Sequence, residues 1–133
     1  EVSESRGLGD VYKRQVADND LLIKSSQKLS KYMCSHSIQR WVWNVTTIKN
    51  LSNHPTIKRP KLKSFDELYF RLETQISTPV DEETSLFLVL VEVVPLNKVW
   101  NSRILESINS MSDNVLNYKN LIEIKKYLNG LKF

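Results

Sequence analysis

The chain has 133 residues, a net charge of +4 and 41% hydrophobic residues, which fits one soluble domain or part of one. This composition excludes a disordered chain and a collagen, and a single cysteine, Cys34, excludes an intramolecular disulfide. The longest apolar run, Leu86–Val91, is far shorter than the roughly 18 residues that span a bilayer, so we expect no membrane partner.

Residues 5–15 resemble a translated sequencing adapter. The codons GAT GTG TAT AAG AGA CAG spell Asp10–Gln15 and end the transposase mosaic sequence that tags DNA libraries, and Ser5–Gly9 continue the same adapter. We therefore predict that residues 1–15 are an artefact and are disordered, and that residues 16–133 form a single helical domain. Because the native part would then start at a DNA breakpoint, one interpretation is that residues 16–133 are the C-terminal fragment of a larger protein.

Two helices and a loop are predicted in the first part of the native chain. Asp18, Asn19 and Asp20 can each cap a helix over residues 21–33. Residues 37–51 space their apolar side chains by three and four, which favours a helix, although the β-branched and aromatic residues at 41–48 also suit a strand. Residues 52–63 contain two prolines and no apolar period, which predicts a loop.

The segment Ser64–Glu67 has the pattern of a capping box. The Ser64 hydroxyl can accept from the backbone N–H three residues on, and the Glu67 carboxylate can reach back to the Ser64 N–H. Apolar residues then follow at helical spacing: Phe65, Leu68, Tyr69, Leu72 and Ile76. This combination predicts the best-defined helix of the chain.

A second helix-start signal precedes the most apolar segment. Thr78–Asp81 places a proline at the first helical position, and the acidic cluster Asp81–Glu83 complements the helix dipole. Leu86–Val94 fits either a buried strand or a buried helix, and the start signal favours a helix that Pro95 ends. Glu92 inside this run is either a functional buried carboxylate or, more commonly, an exposed or lysine-paired one.

Two amphipathic helices are predicted after Pro95. Residues 96–111 carry apolar side chains at helical spacing, and Ser112 or Asp113 caps the next helix. That helix is predicted to end at Asn129–Gly130 in a left-handed C-cap. The short link between the two helices favours an antiparallel hairpin.

The predicted elements define an all-α fold. Six short helices with short links and no alternation of strands and helices indicate an irregular helical bundle or an α-solenoid-like fragment.

Charge is distributed unevenly along the chain. No acidic residue lies between Asp20 and Asp66, whereas residues 66–133 carry seven basic and ten acidic residues. A basic segment that also holds aromatic side chains can attract polyanions and stack on bases, and the alternatives are an acidic protein partner or an inert solvated face. The candidate residues for binding nucleic acid or an acidic partner are Lys24, Lys28, Lys31, Arg40, Trp43, Lys49, Lys58, Arg59, Lys61 and Lys63.

No enzyme motif is present. Cys34, His36 and His54 are too few and wrongly spaced for a closed zinc site, and a Cys34–His54 nucleophilic pair would need spatial contact and a third, orienting group. Outside the adapter-like segment Gly130 is the only glycine, which excludes a glycine-rich phosphate loop. We therefore expect no catalysis, cofactor, metal or small-molecule substrate, unless an upstream region supplies catalytic residues.

The sequence predicts a non-catalytic helical protein-interaction or scaffold module with a protein partner. The alternative is a helical domain that binds nucleic acid through the basic segment 21–65. The segment Lys58–Lys63 is similar to a short nuclear-import signal, so we expect an intracellular protein, nuclear if its source is eukaryotic.

Overall fold

The computed structural model describes residues 20–54 and 56–131, so the prediction for residues 1–15 lies outside the described residues. Two 3₁₀ turns, Phe65–Glu67 and Leu96–Lys98, precede the second strand and follow the third. The elements in chain order are α1 (Asp20–Lys24), α2 (Ser26–Met33), β1 (Ile38–Thr46), β2 (Tyr69–Pro79), β3 (Ser85–Pro95), α3 (Ser102–Ser110), α4 (Asp113–Tyr118) and α5 (Ile122–Gly130).

The three strands form one antiparallel sheet in the order β1–β2–β3. The prediction of an all-α fold, as a helical bundle or as a solenoid fragment, is therefore wrong. β1 pairs with β2 over its whole length, from Ile38 opposite Ser77 to Thr46 opposite Tyr69. β2 pairs with β3 from Tyr69 opposite Pro95, so β2 is central and the other two strands form the edges of this sheet.

β2 replaces the helix that the capping box predicted. A spacing of four residues, as in Leu68, Leu72 and Ile76, fits both a helical stripe and the period of two of a strand. The capping box itself does not form, because the Ser64 side chain makes no capping hydrogen bond. The Glu67 carboxylate instead accepts from the Lys63 N–H at 3.1 Å. The polar residues between the apolar ones then define the second face of the strand: Arg71, Glu73, Gln75 and Ser77.

β1 and β3 also replace predicted helices. Both segments are rich in β-branched and aromatic side chains, which pack well on a pleated surface. This composition favours a strand and outweighs the signals that predicted helices. The presumed helix start at Thr78–Asp81 belongs to the β2–β3 hairpin. The N–H groups of Val80 and Asp81 both donate to the Thr84 carbonyl, at 2.9 and 3.3 Å.

Helices before β1 and directly after β3 are shorter than predicted. The predicted helix over residues 21–33 is divided into α1 and α2 at Ser25. Asp20 lies in the first turn of α1. After β3, α3 begins only at Ser102, where the Asn101 side chain accepts from the Arg103 N–H at 3.0 Å. The preceding residues of the predicted helix are held in the 3₁₀ turn Leu96–Lys98.

The last predicted helix is divided into α4 and α5. Ser112 caps α4 as predicted, with its hydroxyl accepting from the Val115 N–H at 3.3 Å. Asn120 separates the two helices with a left-handed φ of 56°, and no glycine among the described residues has a positive φ, so the predicted left-handed cap at Gly130 is wrong. No helix within residues 20–54 and 56–131 has the length and apolar character needed to cross a membrane.

The core joins the C-terminal helices to one end of the sheet. Val45 from β1 and the residues that flank β2 and β3, Leu68 and Leu96, are fully buried against apolar side chains of α3, α4 and α5. The helical members of this cluster are Ile104, Ile108, Leu116, Leu121, Ile124 and Leu128. Because these helices gather at the Val45 end, the opposite end of that sheet face receives no cover from them.

Candidate functional site

β3 carries the longest continuous run of exposed apolar side chains in the described residues. The five residues Leu86–Leu90 are each between 41 and 62% exposed, and Leu90 is the most exposed of them. Val94 on the same strand is also 36% exposed. Contiguous apolar surface of this kind is uncommon on monomers and marks interaction sites.

The backbone of β3 has an open edge among the described residues. The Leu96 N–H bonds the Leu68 carbonyl at one end of the ladder, and the Val80 N–H bonds the Thr84 carbonyl at the other. Since hydrogen-bonded pairs alternate in an antiparallel ladder, even-numbered β3 residues bond to β2. The N–H and C=O groups that point away from β2 therefore belong to Phe87, Val89, Val91 and Val93.

The opposite edge of the sheet, along β1, is partly blocked by side chains at Trp43 and Val45. Lys119 donates from Nζ to the Trp43 carbonyl at 2.6 Å. Asn44 accepts from the Val45 N–H through Oδ1 at 2.9 Å, and its Nδ2 donates to the Lys119 carbonyl at 3.0 Å. These groups occupy positions that a further strand would need, which is a common means of protecting a sheet edge.

Lys119 should make stability depend on pH. Burial lowers its pKa from the ordinary value of 10.5, and Glu73 partly offsets this effect. Because the unfolded chain keeps the proton to higher pH, stability should rise as the pH approaches 10.5. Lys119→Met should flatten this rise in urea-unfolding free energies measured from about pH 8 upward.

Comparing the wild type with Lys119→Met separates the pH dependence due to Lys119 from that due to Tyr118. Burial, reinforced by Glu73, raises the pKa of Tyr118, which contributes a slope of opposite sign in both proteins alike. Parallel stability profiles for the wild type and Lys119→Met would contradict the buried position of the Lys119 ammonium group.

One face of the sheet extends the apolar surface from β3 to β1. Val45, Trp43 and Trp41 lie on this face, and exposure increases from 0% at Val45 to 63% at Trp41. Trp41 is opposite Thr74, which is opposite Leu90. The exposed indole and the β3 leucines therefore share the half of the face that the C-terminal helices leave uncovered.

A second candidate site is a cleft formed by the predicted loop. Residues 47–54 and 56–64 contain no helix or strand, so the loop predicted over residues 52–63 begins earlier, at residues 47–51 that were predicted to be helical. They enclose an open cleft of about 450 Å³ that includes Glu67 and Tyr69. Four of the candidate basic residues line it: Lys49, Lys58, Lys61 and Lys63. The Thr47 hydroxyl fixes the wall of the cleft by donating to the Pro60 carbonyl at 2.8 Å.

The remaining candidate residues do not join this cleft. Arg59 turns inward and donates to Asn53 Oδ1 at 2.9 Å, and burial together with the nearby charge of Arg71 lowers its pKa. Arg40 donates to Gln75 across the strands at 2.6 Å. Trp43 packs against the core, with Phe70 stacked at 5.6 Å and the Lys119 ammonium 5.9 Å from its ring centre. Lys24, Lys28 and Lys31 are exposed on α1 and α2.

The accessibility of β3 was not predicted. Its apolar run is typical of a buried helix or strand because both faces of the segment are apolar. The run by itself does not distinguish a buried central strand from an apolar edge strand, so the sequence carries no signal of this exposure. Glu92 is exposed on this strand, so the option of a buried functional carboxylate is wrong.

The potential metal ligands stay apart from both sites. Among the described residues, no group of three or more His, Cys, Asp or Glu side chains is placed to hold a metal ion. His36 stacks on Tyr32 at 4.0 Å, and His54 Nδ1 shares a 2.8 Å hydrogen bond with the Thr56 hydroxyl.

Comparison with protein-family models, curated proteins and solved structures finds no match to this chain.

Proposed function

We propose that this protein is a non-catalytic interaction module that binds an extended strand of a protein partner along β3. The observation that carries the proposal is the exposed apolar run Leu86–Leu90 on an edge strand. An incoming strand would extend the sheet by β-augmentation, in which main-chain hydrogen bonds provide affinity and side-chain contacts provide selectivity.

The chemistry of the edge defines the partner. Phe87, Val89, Val91 and Val93 offer their backbone groups at alternate positions, which only another extended backbone can satisfy in series. Side chains of the incoming strand would lie beside leucine and valine on both faces, so apolar and β-branched side chains such as valine and threonine should suit them. Removing apolar surface from water contributes about 25 cal/mol per Å², and the entropy lost on association offsets part of this gain.

A peptide-binding measurement tests this function. The probe is a fluorescent peptide of alternating threonine and valine, eleven residues long, with terminal lysines for solubility. Wild-type protein should bind it saturably, and Leu88→Lys should weaken binding at least tenfold, since a charge replaces an apolar contact. Fluorescence anisotropy provides the affinity, and hydrogen exchange should show new protection at Phe87, Val89 and Val91.

The matched control lies outside the sheet. Ile122 on α5 has nearly the same exposure as Leu88, 47 against 49%, so Ile122→Lys should bind the peptide like the wild type. Both measurements are made at protein concentrations at which the wild type is monomeric. Equal binding by Leu88→Lys and the wild type, or unchanged exchange along β3 under these conditions, would overturn the proposed function.

A second candidate function is supported by the lysine cleft. Lys49, Lys58, Lys61 and Lys63 are gathered by one loop, and the one carboxylate of this cleft, on Glu67, is occupied by the Lys63 N–H. Clustered ammonium groups attract phosphates, and Tyr69 in the same cleft provides an aromatic surface. We propose a polyanion such as single-stranded nucleic acid as the ligand of this site.

Salt dependence distinguishes phosphate contacts from an inert basic surface. Affinity for single-stranded oligonucleotides should fall steeply between about 50 and 200 mM salt, and Lys61→Glu should weaken binding and reduce the salt slope by about one lysine equivalent. Lys126→Glu, on the exposed side of α5, changes the net charge equally and should have a smaller effect. Equal effects of the two variants, or no binding at low salt, would reject the cleft as the site.

A further inference from the structure

We propose that the strand bound by β3 is β3 of a second copy of this chain, so that the protein forms a twofold dimer with a continuous six-stranded sheet. This inference rests on the proposed function and names its partner. Four properties of the described residues support it: the direction of the free backbone groups, the placement of charge, the exposed area and the partly blocked edge at β1.

The backbone groups fit an antiparallel pairing of β3 with itself. Full overlap of two Ser85–Pro95 strands places Leu90 opposite the partner subunit's Leu90. Phe87 then lies opposite the partner subunit's Val93, and Val89 opposite the partner subunit's Val91. All of these residues direct their free N–H and C=O groups outward, so each of these pairs can exchange two hydrogen bonds. A shift by one residue would oppose free groups with groups already bonded to β2.

Charge placement agrees with this register. Glu92 is the only charged residue of β3, and the overlap places it opposite the partner subunit's Leu88. The two Glu92 carboxylates are then offset by four residues, about 13 Å along the strand, which limits their repulsion. A register centred on Glu92 would bring the two carboxylates directly opposite each other, which is destabilising.

The exposed apolar area sets the upper limit of the interface. Leu86–Leu90 and Val94 are 36 to 62% exposed, and complete cover of them on both copies would bury on the order of 1,000 Å², near the lower limit for specific interfaces. The register also places Leu86 beside the partner subunit's Val94, at the end of the sheet that the partner's helices cover. Each copy would therefore bring its helix-covered end to the uncovered end of the other.

The partly blocked edge at β1 limits the assembly to two copies. Lys119 occupies the outward carbonyl of Trp43 and Asn44 occupies the outward N–H of Val45, so a third chain cannot pair with this part of β1 without displacing them. Pairing through one open edge per copy is isologous and closes after two subunits, whereas two open edges would permit fibre growth.

A charge-swap experiment on the full chain tests both dimer and register. Leu90 is opposite itself across the twofold axis, so Leu90→Lys and Leu90→Glu should each weaken dimerisation at least tenfold by placing like charges side by side. An equimolar mixture of these two variants should restore the dimer, because opposite charges then meet at the axis. Sedimentation equilibrium up to about 200 µM measures the association. Circular dichroism verifies that both variants fold, as expected for substitutions at a position that is 62% exposed.

The same swap at Leu86 is the matched control. Leu86 lies eight residues from its counterpart in this register, about 26 Å away, so mixing Leu86→Lys with Leu86→Glu should not restore association. A wild-type protein that is monomeric at every concentration, a dimer insensitive to Leu90 variants, or a mixture that stays monomeric would overturn the proposal.

The peptide measurement separates this inference from the proposed function. If the wild-type protein is monomeric but still binds the threonine–valine peptide, the proposed function stands and the self-pairing is wrong. The strand bound by β3 would then come from a different protein. A monomeric protein that binds no peptide and whose Phe87 and Val89 amides are already protected would overturn both, because its own chain would then cover the edge.

Discussion

Leu128→Ala should lower the free energy of unfolding by about 3 kcal/mol. Leu128 on α5 is fully buried in the cluster that also holds Leu68 and Leu96 from the ends of the strands. Truncation removes apolar contacts with both layers and leaves a cavity that neither the sheet nor the helices can fill without moving against the other. Urea unfolding followed by circular dichroism measures the loss.

Ile122→Ala is the control for this prediction, because it lies on the same helix and is 47% exposed. It should change the free energy of unfolding by no more than about 0.5 kcal/mol. Similar losses for the two variants would mean that α5 does not pack on the sheet through Leu128, and the assigned core would then be wrong.

The C-terminal helices were accessible to sequence analysis because their signals are local. Ile104 and Ile108 are four residues apart on one face of α3 and are both buried. The Ser112 cap depends only on a hydroxyl and an N–H three residues away. Such interactions join residues three or four positions apart, so they can be predicted without knowing how distant segments of the chain pack.

The sheet was not accessible in the same way because its pairing is nonlocal. Leu72 and Ile76 satisfy a helical spacing and a strand period together, and only the pairing with β1 and β3 selects the strand. The exposure of Leu90 depends on β3 lying at the edge of the sheet, a property that no pattern within residues 85–95 contains. Strand pairing therefore decided between two local patterns at β2, whereas at β1 and β3 the β-branched and aromatic composition already favoured a strand over the helix that spacing and capping signals predicted.

The candidate sites were only partly predictable for a related reason. Charge counting identified the lysines of the cleft, since a basic loop tends to be solvated. It also included Arg59 and Trp43, which turn toward Asn53 and the core because hydrogen bonds and apolar contacts are available there. Sequence composition thus places charge on a segment, whereas neighbouring elements decide which side chains face solvent.

Arg71→Met should lower the free energy of unfolding by about 3 kcal/mol and loosen the loop over residues 47–64. Arg71 on β2 is only 7% exposed, and it donates to the Leu51 carbonyl and to Glu73 at 3.3 Å. Its removal would leave the half-buried Glu73 carboxylate without its cation and the loop without this anchor. Urea unfolding and faster hydrogen exchange at Leu51 and Asn53 would measure the two effects.

Arg40→Met separates the anchoring role of Arg71 from the loss of a positive charge. Arg40 lies on the same face of the sheet but is exposed, and among the described residues it bonds only the Gln75 side chain, so its loss should cost less than about 1 kcal/mol. If Arg71 fixes the loop that holds Lys49 and Lys58, Arg71→Met should also weaken oligonucleotide binding more than Arg40→Met. Equal stability and equal binding of the two variants would show that the cleft is formed without Arg71.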